Sequence, residues 1–428
     1  INPTSGGIGT AVTITGANFT GVSSVNFANN ITAGFTVVNS TTITTTVPPG
    51  AVSGPITLSK PGCNDAQSVA FVITVSGCAT ASFASAVNYA TGSEPLGIAI
   101  ADFNSDGKPD IAVPNYSANS ISVLFGDGAG GFLPASTYPT GNGPYAVAAG
   151  DFNSDNKPDL VIANYLANNV GILLNTGSGA FGGVTYVNVG TRPRAITTTD
   201  FNNDGKPDLA VANSNSNTVS ILLGNGNGGF GLTATLTTGS APFAITTGDF
   251  NNDGKKDVAI ANSNSNNISV FIGSGSGSFG PAQLTGTGVM PSGILTADFN
   301  GDGNLDLVTA NSNGDNLAII FGAGNGSFGG PTYYSTASQP NSVTAVDVNL
   351  DGKLDLAATN YGSNSVSVLL GNGSGGFGAA SSFNVGSGPP FIVSGDFNGD
   401  SKPDLVIANR YSNAVSVLLN SCTSQSLN

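Results

Sequence analysis

The sequence predicts an all-β chain of 428 residues. A small β-sandwich is expected over residues 1–76 and a seven-bladed β-propeller over residues 77–428. Two observations carry this. From about residue 83 to 419 the sequence repeats every 49 residues, and periods of that length mark solenoids and propellers. Within each repeat there is no helical period, only short apolar runs between Gly- and Asn-rich turns.

The unit at 193–238 shows the layout. "PRAITTTDF" reads as a first strand, turned by the loop "DFNNDGKPD". "DLAVAN" is the second strand, "TVSILLG" the third, and "LTATLTTG" the fourth, after the turn "NGNGGF". Seven four-stranded units close into a ring that leaves only short, protected edges. The seventh unit stops after its third strand, "AVSVLLN". A strand resembling the missing fourth, "SAVNYATG", lies at 85–92, and Phe83 stands 49 residues ahead of Phe132. This N-terminal strand is therefore expected to complete blade seven.

Each loop reads D-φ-N-x-D-x-x-x-D, with φ apolar. Oxygens at positions 1, 3, 5 and 9, with the carbonyl at position 7, are how a tight loop wraps a hard cation such as Ca²⁺. The candidate ligands are Asp102, Asn104, Asp106, Lys108 and Asp110 in the first loop, then Asp151, Asn153, Asp155, Lys157 and Asp159 in the second. The third and fourth supply Asp200, Asn202, Asp204, Lys206 and Asp208, and Asp249, Asn251, Asp253, Lys255 and Asp257. The fifth supplies Asp298, Asn300, Asp302, Asn304 and Asp306. The last two supply Asp347, Asn349, Asp351, Lys353 and Asp355, and Asp396, Asn398, Asp400, Lys402 and Asp404. Gly107 permits the sharp bend at position 6. No EF-hand is formed, because Val113 stands where a bidentate Glu belongs. The alternative is an Asx-rich turn without metal; massed carboxylates without a cation would repel one another. Asn156 and Ser401 replace the position-6 glycine, and Ser tolerates a left-handed backbone less well than Asn. Up to seven structural Ca²⁺ ions are expected.

Composition agrees. Only 8% of residues are charged and the net charge is -14, yet 21 of the 24 Asp lie in the loops and Glu94 is the one Glu. The acidity therefore belongs to the loops rather than to a disordered tail. Histidine is absent, which removes the commonest general base. An acidic chain with 11 Lys and Arg does not suit nucleic acid, and no apolar run is long enough to span a membrane. The chain opens at Ile1-Asn2-Pro3 inside what reads as a folded domain, so an upstream segment is expected. Calcium loops of this kind suit the extracellular space or cell surface.

Cys78 lies before the strand that completes blade seven and Cys422 follows that blade's third strand. A Cys78–Cys422 disulfide would staple the ring where it is not covalently continuous, contributing roughly 4–5 kcal/mol by loop entropy. The rival pair, Cys63–Cys78, would be held about 25 Å apart by the strand between them. A disulfide implies an oxidising compartment.

Strands alternate in direction, so the acidic loops share one face with the Phe-Gly turns (Phe132, Phe181, Phe230, Phe279, Phe328, Phe377). The loops after each second strand share the other face with the connections between blades. Those second-strand loops begin with Asn115, Asn164, Asn213, Asn262, Asn311, Asn360 and Asn409, expected to form turns. The next residue varies: Tyr116, Tyr165, Tyr361 and Arg410, the last followed by Tyr411, against Ser in blades three to five. The connections add Leu96, Tyr145, Arg192, Arg194 and Phe243. All three Arg map to this face. Clustered aromatics and Arg mark binding surfaces; ordinary loop decoration is the alternative. Sequons at Asn18, Asn30, Asn115 and Asn267 are weak signals in a chain so rich in Asn, Ser and Thr.

The phrases "PTSGGIGTAVTITGANF" and "VPPGAVSGPITL" resemble IPT/TIG immunoglobulin-like (Ig-like) domains. That family places an initial strand before the Pro-Thr-Ser-Gly turn; here it is nearly missing. The aspartate loops and Phe-Gly turns resemble FG-GAP/VCBS propellers, the family of the integrin α-subunit head. The resemblance implies that the face opposite the calcium loops binds ligand.

Three function classes follow as expectations. The first is a non-catalytic extracellular calcium-binding protein of adhesion or surface assembly, docking a protein or glycan. Its polymerising version self-associates into a filament by strand addition at the edge left by the short initial strand. The second is a glycan-binding lectin. The third is a polysaccharide lyase, disfavoured because no His and no carboxylate cluster outside the loops is available.

Overall fold

The computed structural model describes residues 1–7, 9–28, 30–48, 51–73 and 77–423. They form strands and turns, and among them no helix is long and apolar enough to cross a membrane. Two compact units result, the first mainly Ile1–Ala79 and the second mainly Thr80–Asn349 with Lys353–Cys422.

The first unit comprises β1 (Ser5–Gly6), β2 (Ala11–Thr15), β3 (Ser24–Ala28), β4 (Ile31–Ala33), β5 (Phe35–Asn39), β6 (Thr42–Thr46), β7 (Val52–Ser59) and β8 (Ala66–Ile73). They make two sheets, ordered β1-β8-β7-β3-β4 and β2-β6-β5. Alternation in β2 and β6 buries Val12, Ile14 and Ile43 against Val25, Phe27, Ile56 and Phe71 of the other sheet, as half-buried strands require. Phe27 and Phe71 meet edge to face with centroids 5.7 Å apart. The initial strand, expected to be nearly missing, survives as two short pieces. Asn2 bridges Thr13, and Ser5 and Gly6 pair in parallel with Val72 and Ile73. β3, β4 and β5 are only three to five residues long; β3 alternates, burying Val25 and Phe27.

The second unit contains seven four-stranded sheets. In the third, for example, Pro193–Thr199, Asp208–Asn213, Thr218–Gly224 and Phe230–Thr237 pair antiparallel in sequence order. Blade seven pairs Phe391–Gly395, Asp404–Asn409 and Ala414–Leu418 with Val87–Ala90, so the N-terminal strand closes the ring as expected. Phe83 bridges Asn420, in the register that Phe132 keeps with Gly126. Cys78 and Cys422 are disulfide-bonded across this seam, and Cys63 is free and exposed.

The core lies between the blades. Each second strand is buried along its whole length, and its apolar side chains pack alternately on the preceding and following blade. One cluster joins Val406 and Val415 of blade seven to Ile111, Val113 and Phe132 of blade one, so the seam is packed like the other junctions. The apolar residue at loop position 2 contributes. Phe103, Phe152, Phe201, Phe250, Phe299 and Phe397 each meet the turn Phe of the next blade edge to face, at 5.4–5.9 Å. Such pairs add about 0.5–1.5 kcal/mol beyond area burial.

The asparagines ending each second strand open the following turn by their backbone, as the carbonyls of Asn311, Asn360 and Asn409 do by accepting from the N–H three residues on, but their side chains turn inward. Asn115, Asn164, Asn213, Asn262, Asn311, Asn360 and Asn409 are the last strand residues and are fully buried. Asn213 Nδ2 donates to Thr218 Oγ1 and Ser220 Oγ at 3.2 and 3.0 Å, tying the second strand to the third. The carboxamide packs on a glycine of the incoming connection: a Cβ on Gly190 would stand 2.6 Å from Asn213 Cγ. The side chain leaves the turn here because it has a buried polar neighbour in register. The Asn115 sequon is consequently inaccessible.

Replacing Cys78 and Cys422 together by Ser is expected to lower propeller stability by about 4–5 kcal/mol, read as an earlier thermal melt. An unchanged melt would mean that packing at the seam holds the ring without the staple.

Candidate functional site

Two regions carry chemistry, one on each face of the ring. On the first, the nine-residue loops share one backbone. Position 6 is left-handed in every loop, at φ 81° for Gly107, 61° for Asn156 and 63° for Ser401. Both non-glycine replacements therefore adopt the bend. Position 4 is left-handed too, including Ser105, Asn203 and Leu350, a demand the sequence pattern did not disclose.

The position-1 carboxylate caps this wrap. Asp102 Oδ1 accepts from the Asp106 N–H and Oδ2 from the Gly107 N–H, at 3.0 and 2.7 Å. Asp151, Asp200, Asp249, Asp298 and Asp396 do the same. Asn104 Oδ1 also accepts from Asp106 N–H. The position-5 carboxylate leans to the lysine two residues on, at 3.0 Å for Asp155–Lys157 and Asp400–Lys402 and 3.8 Å for Asp106–Lys108. Half-exposed pairs of this kind add little stability.

Position 9 behaves differently. Asp110 is fully buried; its Oδ2 accepts from Phe103 N–H at 2.9 Å and its Oδ1 from Gly126 N–H at 2.8 Å. Asp159, Asp208, Asp257, Asp306, Asp355 and Asp404 each make the same pair of bonds, to position 2 of the loop and to the start of the Phe-Gly turn. Burial raises all seven carboxyls, against the pull of the two amides, and pushes Asp110 and Asp355 up to about 6. The loop is stitched onward as well: Gly228 of blade three donates to Phe152 O at 2.7 Å, and Asn175 Nδ2 of blade two to Phe103 O at 2.8 Å.

Among the described residues no three acidic side chains converge closely enough to enclose an ion as they stand. The donor set still fits a hard cation. It is all oxygen, the backbone is already wrapped, and a bonded carboxylate oxygen keeps a second lone pair. Positions 1, 3, 5 and 9 and the position-7 carbonyl would hold it, once position 5 turns from its lysine toward the loop centre.

On the opposite face the residues singled out form one connected chain of contacts. Tyr361 and Tyr411 have centroids 5.9 Å apart, with their hydroxyls 2.7 Å apart. Arg410 lies 5.5 Å from the Tyr411 ring and 5.8 Å from Tyr116. Tyr116 packs on Tyr145 and Tyr165. Arg192 lies over Tyr165 at 5.3 Å, and Arg194 over Tyr145 at 4.7 Å and Phe243 at 3.5 Å. Arg410 also pairs with Glu94 at 3.2 Å. A bond from Ser117, with Arg410, holds the Glu94 carboxyl below its usual range despite partial burial. Burial and the Tyr411 contact push the Tyr361 phenol up to about 12, so it stays protonated.

The arc borders the mouth of the central channel. Leu96, Tyr145, Arg194, Phe243, Ser292, Asn341 and Pro390 occupy one register, 49 residues apart, and line a hollow of about 240 Å³ there. Below lies a channel of about 460 Å³ walled by the inner strands. Sequence reasoning found the aromatic half of this collar and missed Ser292 and Asn341. The signal was their shared register, at which no two blades carry the same residue.

The chain belongs to the FG-GAP-like repeat family. The repeat matches residues 102–162, 151–211, 200–260, 249–309, 298–358 and 347–407, which together take in all seven loops. An IPT/TIG domain matches residues 1–89. No curated protein matches the chain. Among solved structures, BBS1N in its complex with ARL6DN (soaked with lead) is similar at 13% identity and TM-score 0.55, covering 81% of this chain and 99% of that one. A functionally unknown protein from Desulfotomaculum acetoxidans DSM 771 aligns at 14% identity and TM-score 0.55, over 71% and 90%. A protein from Lactobacillus plantarum aligns at 14% and 0.53, over 78% and 92%. These likenesses concern the fold.

Exchanging Asp208 for Asn keeps the shape but presents an amide to one of two backbone donors. The expected loss is about 1–3 kcal/mol, with chelator present as well as without, because the clamp needs no metal. Melts matching the parent under both conditions would show that the clamp carries no stability.

Proposed function

We propose that this chain is a non-catalytic extracellular binding protein. Calcium bound in the acidic loops stiffens the propeller, and the aromatic–arginine arc docks a protein or glycan partner. One observation carries the reading: Tyr361, Tyr411, Arg410, Tyr116, Tyr145, Tyr165, Arg192, Arg194 and Phe243 make a single contact chain over adjacent blades. Blades three to five fold with Ser at the register of Tyr116, so folding does not require the aromatics. Tyr and Arg present large area and planar hydrogen bonding at modest entropic cost. The Cys78–Cys422 disulfide supports an oxidising compartment, and the Ig-like domain serves as spacer or joint.

A filament is the assembling version of this reading. Its support is that β1 covers only Val72 and Ile73 of β8, while Val69 is 68% exposed. A second chain could extend that sheet by strand addition.

Replacing Tyr116 and Tyr411 together by Ser tests the proposal. Glycan-array binding, or assembly seen by electron microscopy, should weaken by roughly 1–4 kcal/mol with an unchanged melt. A variant that binds and assembles like the parent would reduce the arc to decoration and move the contact to the Ig-like domain.

A further inference from the structure

The three arginines are not equivalent, and their surroundings specify an occupant for the channel mouth. Seven of the eight lysines, Lys60 apart, lie in or beside the acidic loops, which leaves Arg192, Arg194 and Arg410 as the cations of the aromatic face. Arg410 is neutralised by Glu94. Arg194 has no carboxylate partner among the described residues. Its guanidinium is stacked on Phe243, and its Nη2 donates to the Tyr145 hydroxyl at 2.7 Å. The Nε atoms of Arg194 and Arg410 are both buried without a hydrogen-bond partner, and both residues line the same hollow. A buried charged donor without an acceptor is costly, and an anion seated there would supply one.

The rest of the wall indicates what carries the anion. Ser263, Ser292 and Ser312 line the hollow, and each hydroxyl already donates to a backbone carbonyl. Their oxygens are left as acceptors, suited to incoming hydroxyl groups. Tyr145 and Phe243 offer apolar ring surface beside them. Planar guanidinium, hydroxyl acceptors and aromatic surface in so small a hollow match one sugar ring bearing a carboxylate.

We propose that the collar at the channel mouth binds a carboxylated saccharide, with Arg194 holding the carboxylate and the Ser263–Ser292–Ser312 side accepting from the sugar hydroxyls. The inference rests on the aromatic face being a binding surface, and narrows it to one chemistry. Desolvated guanidinium–carboxylate pairing is the strong, geometry-dependent kind.

The test uses the full chain and an array of uronate- and sialate-bearing oligosaccharides, each beside its carboxyl-reduced form. The expected result is binding of at least one acidic member, tenfold or more weaker after carboxyl reduction. Which sugar binds distinguishes a uronate from a sialate. Arg194→Gln should abolish that discrimination at an unchanged melting temperature. Equal binding of acidic and reduced forms overturns this inference and leaves the surface reading standing. So does binding of neither form by a parent that still needs Tyr116 and Tyr411 for assembly. If Arg194→Gln unfolds, the comparison of acidic and reduced forms on the parent decides alone.

Discussion

A buried carboxylate at the head of every second strand is the interaction on which the ring depends. Asp110 and its six counterparts each hold two backbone amides, one from the acidic loop and one from the Phe-Gly turn. Loop, turn and inner edge of the blade are thereby fixed to one atom group. The apolar residue at position 2, placed by the first of those amides, then packs on the next blade's turn. The motif therefore builds the junction between blades as well as the loop. The same carboxylates are raised by burial, and neighbouring loop carboxylates add to the strain. A cation in the loop would relieve both, so the calcium we propose there would act as a stabiliser rather than as a reagent.

The two faces divide the work by charge and by tolerance. The loop face repeats its Asp residues in every blade, with Lys at position 7 in six of the seven. The opposite face is held by buried Asn residues, whose bonds lie below the surface. The residue after each Asn, and the register of Tyr145 and Arg194 beside the start of each inner strand, are then not held to one residue type. It is at those registers that this otherwise repetitive chain varies; they carry Arg410 and Arg194, with Arg192 two residues before Arg194.

Much of this was legible because the period is long and unbroken. Blade number, strand order, the closing strand at Val87–Ala90 and the Cys78–Cys422 pairing follow from register alone. So does the set of residues on the aromatic face. Direction of side chains did not follow. Asn213 and its counterparts have a turn-forming composition around them, yet they point inward, because Ser220 and Thr218 wait there as acceptors. Nor could position 9 be told from the other loop carboxylates, since its clamp depends on Gly224, 16 residues away. In the N-terminal unit, strands such as Phe35–Asn39 went unseen because no repeat reinforces them.

We propose that each acidic loop takes up a cation on that clamp once position 5 turns toward the loop centre. Native mass spectrometry of the metal-free chain titrated with calcium measures it most directly. The account predicts one bound calcium ion per loop, with the ions lost on adding chelator. A chain that takes up no calcium above the level of a protein lacking such loops would contradict it.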